Sequence, residues 1–307
     1  MPICYLLGAG FSYAISNKSI PLTKDLGEKL APHVPEVLKD RYDYNPAHLE
    51  RFLTHLDLKI AASPTGYEVA IRKEIQSFLL DELSLSSIKE TDDLNLYDLG
   101  KKFVKKLKPF DVILTLNYDC LLDALLYKSG RWDYEKGYSA HIFNFPKILT
   151  ENRDSILLLK LHGSTNFWEH AVCTDRDIDW SQSEFIIEIK NGTFPFFYSH
   201  SQLGGSGSTR KGQYIIAPSY LKQFNSRLMR LWNLAMEKLR EAEKLVIIGC
   251  SLRNEDTELS QLLMEFKGSV VDIIDPKNED IKKRLQDIIP KIQPTLYQNL
   301  VEWLNSI

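Results

Sequence analysis

Ile3-Cys4-Tyr5-Leu6-Leu7-Gly8-Ala9-Gly10-Phe11-Ser12 stands near the start of the chain. Its five leading residues are apolar and do not alternate with polar ones, which predicts a strand buried on both faces. The glycines that follow predict a tight turn into a helix. Glycines at such a turn let backbone amides approach a pyrophosphate closely, and the helix start favours negative charge. The third glycine of the dinucleotide fingerprint is missing, since Tyr13 follows Ser12. A plain strand-to-helix turn therefore explains this stretch as well as a phosphate loop does.

Similar apolar runs recur at residues 112–116, 156–161, 245–248 and 270–274, with a weaker one at 214–217. Helical spacing follows several of them: Leu121, Leu122, Leu125 and Leu126 after the second, residues 258–266 after the fifth, and 279–289 after the sixth. Buried strands alternating with helices predict an α/β fold with a Rossmann-like doubly wound parallel sheet. Residues 35–108 hold no strand pattern. Leu49, Phe52, Leu53 and Leu56, then Ile71, Ile75, Phe78 and Leu79, then Leu96, Leu99, Phe103 and Leu107 recur at helical spacing. This region reads as a helical insertion, with residues 1–34 and 109–307 left for the nucleotide-binding sheet domain. A hairpin and loop insertion is expected over 165–212, where residues 185–189 and 194–198 flank Asn191-Gly192. A glycine- and serine-rich loop comes next. In the helix over 225–240, the stripe Leu228, Leu231, Trp232, Ala235 and Leu239 reads as core.

The composition narrows the function classes. The 307 residues are 44% hydrophobic and 26% charged, an ordinary globular balance that excludes disordered and fibrous chains. The formal charge of −3 leaves no global basic field for nucleic acid, so direct nucleic-acid binding is not expected. No apolar run reaches membrane length, and the first lacks the basic segment of a signal peptide. A cytoplasmic chain without membrane contact is expected. Cys4, Cys120, Cys173 and Cys250 are scattered and show no C-x-x-C pair, so they do not make a structural zinc ribbon. His170 and Cys173 lie near His162 but match no zinc spacing. Lys101, Lys102, Lys105, Lys106 and Lys108 read as a solvated helix end that complements the helix dipole.

Four more clusters fall at predicted strand ends, the edge where open α/β sheets bind ligands. Thr115-Leu116-Asn117-Tyr118-Asp119 offers an Asn/Asp pair, although either residue can simply cap the next helix. Lys160-Leu161-His162-Gly163-Ser164 offers an imidazole, suited to proton transfer near neutral pH, or a hydrogen-bonded structural histidine. Gly249-Cys250-Ser251-Leu252, followed by Asp256, offers amides and a hydroxyl. Asp275 before Pro276 offers a carboxylate for ribose hydroxyls, or a turn.

Taken together, these clusters resemble the sirtuin-like superfamily. Gly8-Ala9-Gly10-Phe11-Ser12 resembles its Gly-Ala-Gly-Ile-Ser loop, and Ile20-Pro21 its Gly-Ile-Pro continuation. The 115–119 cluster resembles Thr-Gln-Asn-Ile-Asp, the 160–164 cluster Glu-Leu-His-Gly-Ser, and the 249–252 cluster Gly-Thr-Ser-Leu. The departures carry information. Lysine-deacylating sirtuins usually have two C-x-x-C zinc pairs, and this chain has none. Leu22-Thr23-Lys24 replaces Asp-Phe-Arg, and Ile216-Ala217-Pro218-Ser219-Tyr220 stands where the peptide-clamping Phe-Gly-Glu strand would be. The variant set is similar to the zinc-free sirtuin-like NAD hydrolases of bacterial anti-phage systems.

The resemblance implies NAD as substrate, no zinc, and cleavage to nicotinamide and ADP-ribose. It implies Asn117 and His162 as catalytic residues, with Asp119 accepting from the nicotinamide amide. Gly8, Ala9, Gly10, Phe11 and Ser12 are expected at the phosphates, with Thr115, Gly249, Ser251 and Asp275 completing the NAD site. Two other readings of the same cleft are an NAD-dependent protein deacylase and a non-catalytic module that binds NAD or ADP-ribose. An unregulated NAD hydrolase is toxic, so control is expected from homo-oligomerisation or from a partner, by analogy a HerA-type ATPase or an Argonaute-like protein.

Overall fold

The computed structural model describes residues 2–63, 66–83, 97–132, 137–138, 156–173, 178–187, 210–215, 219, 226–253 and 255–307, with backbone alone for 168–173, 178–187, 210–215 and 226–227. The strands are β1 (Ile3–Leu7), β2 (Val112–Thr115), β3 (Leu157–Lys160), β4 (Gly163–Cys173), β5 (Ile178–Ile187), β6 (Arg210–Ile215), β7 (Lys244–Ile248), β8 (Val270–Ile274) and β9 (Thr295–Tyr297). The helices are α1 (Ala9–Ile15), α2 (Thr23–Leu30), α3 (Glu36–Tyr42), α4 (Leu49–Ala62), α5 (Gly66–Leu83), α6 (Asp98–Lys106), α7 (Leu121–Lys128), α8 (Ser226–Glu241), α9 (Thr257–Leu263), α10 (Asn278–Ile288) and α11 (Leu300–Ser306).

Six strands pair in parallel in the order β3-β2-β1-β7-β8-β9. The chain builds outward from β1 through β2 to β3, then returns past β1 and builds β7, β8 and β9 on the other side. This is the Rossmann-like doubly wound arrangement, and its direction reverses between β1 and β7. Successive residues Cys4, Tyr5, Leu6 and Leu7 are all buried, so helices cover both faces and the strands carry unbroken apolar runs. Around Tyr5 the cover is aromatic. Phe103 of α6 stands edge-on at 5.5 Å and Trp303 of α11 at 6.3 Å, while Phe11 of α1 meets Phe103 at 4.9 Å. The Trp303 indole N–H donates to buried Asp272 at 2.8 Å, and Lys244 pairs with the same carboxylate at 2.6 Å.

Lys160, Thr115, Leu7, Ile248 and Ile274 are register partners across five adjacent strands. Four inter-strand gaps make this row roughly 19 Å long. The polar clusters therefore leave the sheet at one level, along one edge.

Of the weak run at 214–217, Tyr214 and Ile215 do not enter this sheet, and residues 216–217 lie outside the described residues. Residues 210–215 pair antiparallel with β4 instead, in a second sheet of order β5-β4-β6. The expected hairpin partner at 194–198 lies outside the described residues, and β5 pairs with β4. The sixth parallel strand, β9, gives almost no sequence signal. It has three residues, none of them fully buried.

A second apolar cluster joins Leu26, Leu30, Val34, Leu38, Leu49, Phe52, Leu53, Leu56, Ile75, Leu79 and Leu83. Its helical unit thus includes α2, ahead of residue 35. At the other end α6 packs with the sheet, since Phe103, Val104 and Leu107 belong to the sheet's core. Arg131 donates to the carbonyls of Val104, Lys105 and Leu107 and closes the end of α6.

At the reversal point the turns after β1 and β7 touch backbone to backbone. A Cβ on Gly8 would lie 2.5 Å from the Gly249 carbonyl oxygen. One on Gly249, where φ is +59°, would lie 2.3 Å from the Phe11 nitrogen. Gly249→Ala therefore combines a backbone collision with a left-handed conformation. We expect it to lower unfolding stability by at least about 2 kcal/mol in denaturant titration; an unchanged midpoint would contradict the close crossing.

Candidate functional site

Each site segment begins one residue past the common row, where the ladder persists for one more hydrogen bond. Gly8 N donates to Ile248 O, Leu116 N to Leu7 O, Leu161 N to Thr115 O, Gly249 N to Ile274 O and Asp275 N to Tyr297 O, all at 2.9–3.1 Å. The chain then turns away from the sheet. Gly10 N donates to Gly249 O at 3.0 Å and Phe11 N to Gly8 O at 2.9 Å. The amides of Gly8, Gly10 and Phe11 are thus engaged within the protein, and the two glycines act through closeness of approach. Ala9 is exposed at the mouth of the turn. The Phe11 ring points into the core against Phe103.

Asn117 reaches across from β2 to this turn. Its Nδ2 donates to Gly8 O and to Ser12 Oγ, each at 2.9 Å, and its backbone N donates to Thr115 Oγ1 at 3.1 Å. A carbonyl oxygen only accepts, so the Gly8 contact fixes which way the amide faces. Its Oδ1 has no hydrogen bond among the described residues. Ser12 in turn hydrogen-bonds the Asp119 carboxylate. Asn117, Ser12 and Asp119 therefore form one chain linking the turn after β1 to the segment after β2.

Asp119 stands just ahead of the Cys120 N-cap of α7, with Oδ1 accepting from Leu121 N at 3.1 Å. Burial raises the Asp119 carboxyl above the usual aspartate value, opposed by the Lys160 ammonium, the Ser12 hydroxyl and the Leu121 amide, while Asp123 adds to the rise. The Lys160 side chain is fully buried. Its Nζ donates to the Asp119 carbonyl at 2.6 Å and lies 3.2 Å from both Asp123 oxygens. Burial alone would lower this ammonium, but Asp123, Cys120 and Asp119 outweigh it and hold Lys160 above the ordinary lysine value. The Tyr138 hydroxyl donates to Asp123 and accepts from Asn166 Nδ2 at 3.1 Å.

His162 sits where the chain passes from the parallel sheet to the antiparallel one. Gly163 follows with φ +80°, a conformation that suits glycine. The imidazole is buried between Tyr118 and Trp232, with ring centroids 6.2 Å from each. The Trp232 indole N–H donates to Leu161 O at 2.9 Å and steadies the backbone beside it. The Tyr118 ring also packs against the helical unit's core, while its carbonyl accepts from Thr165 N at 2.9 Å. A second tie between the helical unit and the strand ends is the ion pair of Glu50 on α4 with Arg253 after β7.

The outer positions behave differently. Asp275 closes its own turn, with Oδ1 accepting from Lys277 N at 2.7 Å. Ser251 is exposed, and its carbonyl accepts from Arg284 at 2.6 Å. Asp256 caps α9. Among the described residues no group of three or more His, Cys, Asp or Glu gathers as a metal site; the Cys173 and His170 side chains lie outside them. No described helix is long and apolar enough to cross a membrane.

Sequence reasoning passed over Asp123, Tyr138 and Asn166 and gave Lys160 no role. A signal was there: Asp123 interrupts the apolar run 121–126, and Lys160 ends the run 157–159. Opposite charges set in two apolar runs indicate a buried pair.

The Sir2 homologue–NAD complex is 14% identical to this chain, with a TM-score of 0.47 over 99% of this chain and 86% of that one. A Sir2 homologue mutant bound to 2'-O-acetyl ADP ribose is also 14% identical, with a TM-score of 0.46 over 99% and 89%. Sir2Tm bound to a propionylated peptide is 13% identical, with a TM-score of 0.39 over 99% and 91%. No curated protein matches the sequence. A family model described as the SIR2-like domain matches residues 111–269, just over half of the chain and the part that holds Asn117, Asp119, Lys160, His162 and Gly249. The protein is a member of the SIR2-like domain family.

Proposed function

We propose that the protein is an NAD glycohydrolase that cleaves the nicotinamide–ribose bond to give nicotinamide and ADP-ribose. The observation that carries this reading is the orientation of Asn117. With Nδ2 held by Gly8 and Ser12, its Oδ1 is the atom left to accept from a water or a ribose hydroxyl. Membership of the SIR2-like family and the level row of strand ends at the sheet's reversal point support a dinucleotide as the ligand.

In this reading the pyrophosphate lies at the turn around Ala9, whose shape depends on the close crossing of Gly8 and Gly10 with Gly249. Phe11, with its amide bonded to Gly8 and its ring in the core, holds the shape of that turn. Thr115 supports Asn117, and Asp275 and Ser251 lie toward the adenosine end. As the glycosidic bond breaks, its electron pair moves to the nicotinamide ring and leaves an oxocarbenium-like ribose. Water adds to the anomeric carbon and loses a proton. Asn117 positions that water, His162 accepts the proton or holds the ribose, and the Asp119 carboxylate accepts from the nicotinamide amide.

The sequence features that set this chain apart from lysine deacylases favour hydrolysis without zinc. They also support a physiological role as a cytoplasmic NAD-depleting effector of bacterial anti-phage defence. Its control would come through homo-oligomerisation or through a HerA-type ATPase or Argonaute-like partner.

Incubation with NAD alone should yield free nicotinamide and ADP-ribose. Turnover that needs an acylated peptide and gives O-acyl-ADP-ribose would identify a deacylase, and NAD retained uncleaved would identify a binding module. Asn117→Ala and His162→Ala should each fold and lose about 10²–10⁴-fold in cleavage rate; wild-type rates in both variants would overturn the site. Because Asp119 must be ionised to accept and its folded value is raised, kcat/KM should fall on acidification from above the usual carboxylate range. The same raised value means that this group's contribution to stability declines as pH rises between its unfolded and folded values. A pH–rate profile flat down to ordinary carboxylate values would contradict the role of Asp119.

A further inference from the structure

A fully buried charge pair, Lys160 with Asp123, is unused by the mechanism above. Lys160 ends β3, two residues before His162, and Asp123 lies on α7, four residues after Asp119. Their side chains are 0% and 2% exposed. A buried ion pair is weak as a stabilising device, because desolvating two charges offsets most of their attraction. The pair's geometry offers another reason for its presence. The shortest contact of the ammonium, 2.6 Å, is to the main-chain carbonyl of Asp119 and not to the carboxylate at 3.2 Å. Asp123 is itself held by the Tyr138 hydroxyl, which Asn166 at the start of the antiparallel sheet holds in turn.

We propose that Lys160 is a positioning residue: clamped by Asp123, its ammonium grips the Asp119 carbonyl and fixes the 117–119 segment of one strand end against the His162 segment of the next. The row of strand ends sets the two segments at one level, but the segments past the row need their own tie. Several links provide it here: Lys160 Nζ to Asp119 O, Ser164 Oγ and Thr165 Oγ1 to Tyr118 O at 3.2 Å each, Thr165 N to Tyr118 O at 2.9 Å, and Cys120 Sγ to the Ser164 and Thr165 hydroxyls at 3.5 Å each. Lys160 is the charged member of the set. It also faces the Asp119 carboxylate, where its field opposes the effect of burial. The groups around that carboxylate are Lys160 from β3, Ser12 from α1, and the Leu121 amide and Asp123 from α7. Of the two charges, Lys160 acts more strongly on Asp119 than Asp123 does.

The kinetic part of this inference rests on the NAD-cleaving reading, whereas the positional part does not. Lys160→Met alone strands the Asp123 carboxylate and tests little beyond folding. The informative variant is Lys160→Met/Asp123→Asn, which removes both charges and keeps an acceptor for Tyr138. It should unfold cooperatively like wild type. Backbone amides of 116–122 should exchange with deuterium at least ~10-fold faster than in wild type, while those of β1 and β7 stay unchanged. Its NAD cleavage should fall on the order of 10²-fold, the scale of an ångström-sized misplacement. The acidic limb of kcat/KM should move to higher pH, since the stronger of the two charges on Asp119 is gone. Unchanged exchange at 116–122 overturns the proposal whether or not the wild type cleaves NAD. Faster exchange with an unmoved rate and pH profile in an active enzyme also overturns it. A wild type that neither binds nor cleaves NAD overturns the functional reading instead and leaves the exchange result to decide the role of Lys160.

Discussion

The site depends on a contact in which no side chain takes part. Gly8 and Gly10 meet Gly249 where the sheet reverses direction, and any Cβ there would collide with main-chain atoms. Because the two turns are this close, Gly10 N bonds Gly249 O; on the other side of β1, Asn117 reaches Gly8 O from the next strand. Glycines in such a motif are commonly credited to the ligand. Here the protein's own backbone requires them first, and an open approach at Ala9 follows from the same geometry.

A second layer of organisation is electrostatic. Asp119 is buried among a hydroxyl, an amide and the Lys160 ammonium, and burial still outweighs them. The carboxyl is therefore held above the usual aspartate value. Tyr118 connects it to the helical unit, with its backbone in the site segment and its ring against the helical core. The helical unit is thus a structural neighbour of the site, tied to it by that ring and by the Glu50–Arg253 pair.

Much of this was legible in the sequence because each buried strand ends where an apolar run gives way to glycine, asparagine, histidine or aspartate. That change marks both the end of burial and the ligand edge, so Gly8, Asn117, His162, Gly249 and Asp275 could be set on one edge from spacing alone. The strand at 295–297 was not legible, being too short and too exposed to leave a pattern. Tyr214 and Ile215 belong to the antiparallel sheet and not to the parallel one, because apolar periodicity does not specify a pairing partner. The Lys160–Asp123 pair joins residues 37 apart in sequence, and only the parallel register of β2 and β3 brings them together. At Asp119 the local reading has a counterpart in the fold, since its carboxylate accepts from the first amide of α7.

The account's central claim is that one dinucleotide lies along the row from Asp275 past Ala9 to Asn117 and His162. A crystal structure of the Asn117→Ala protein soaked with NAD tests this most directly. The account predicts pyrophosphate density at the turn after β1 and the nicotinamide ring beside Asp119. NAD bound away from that edge, with the turn around Ala9 left open, would contradict it.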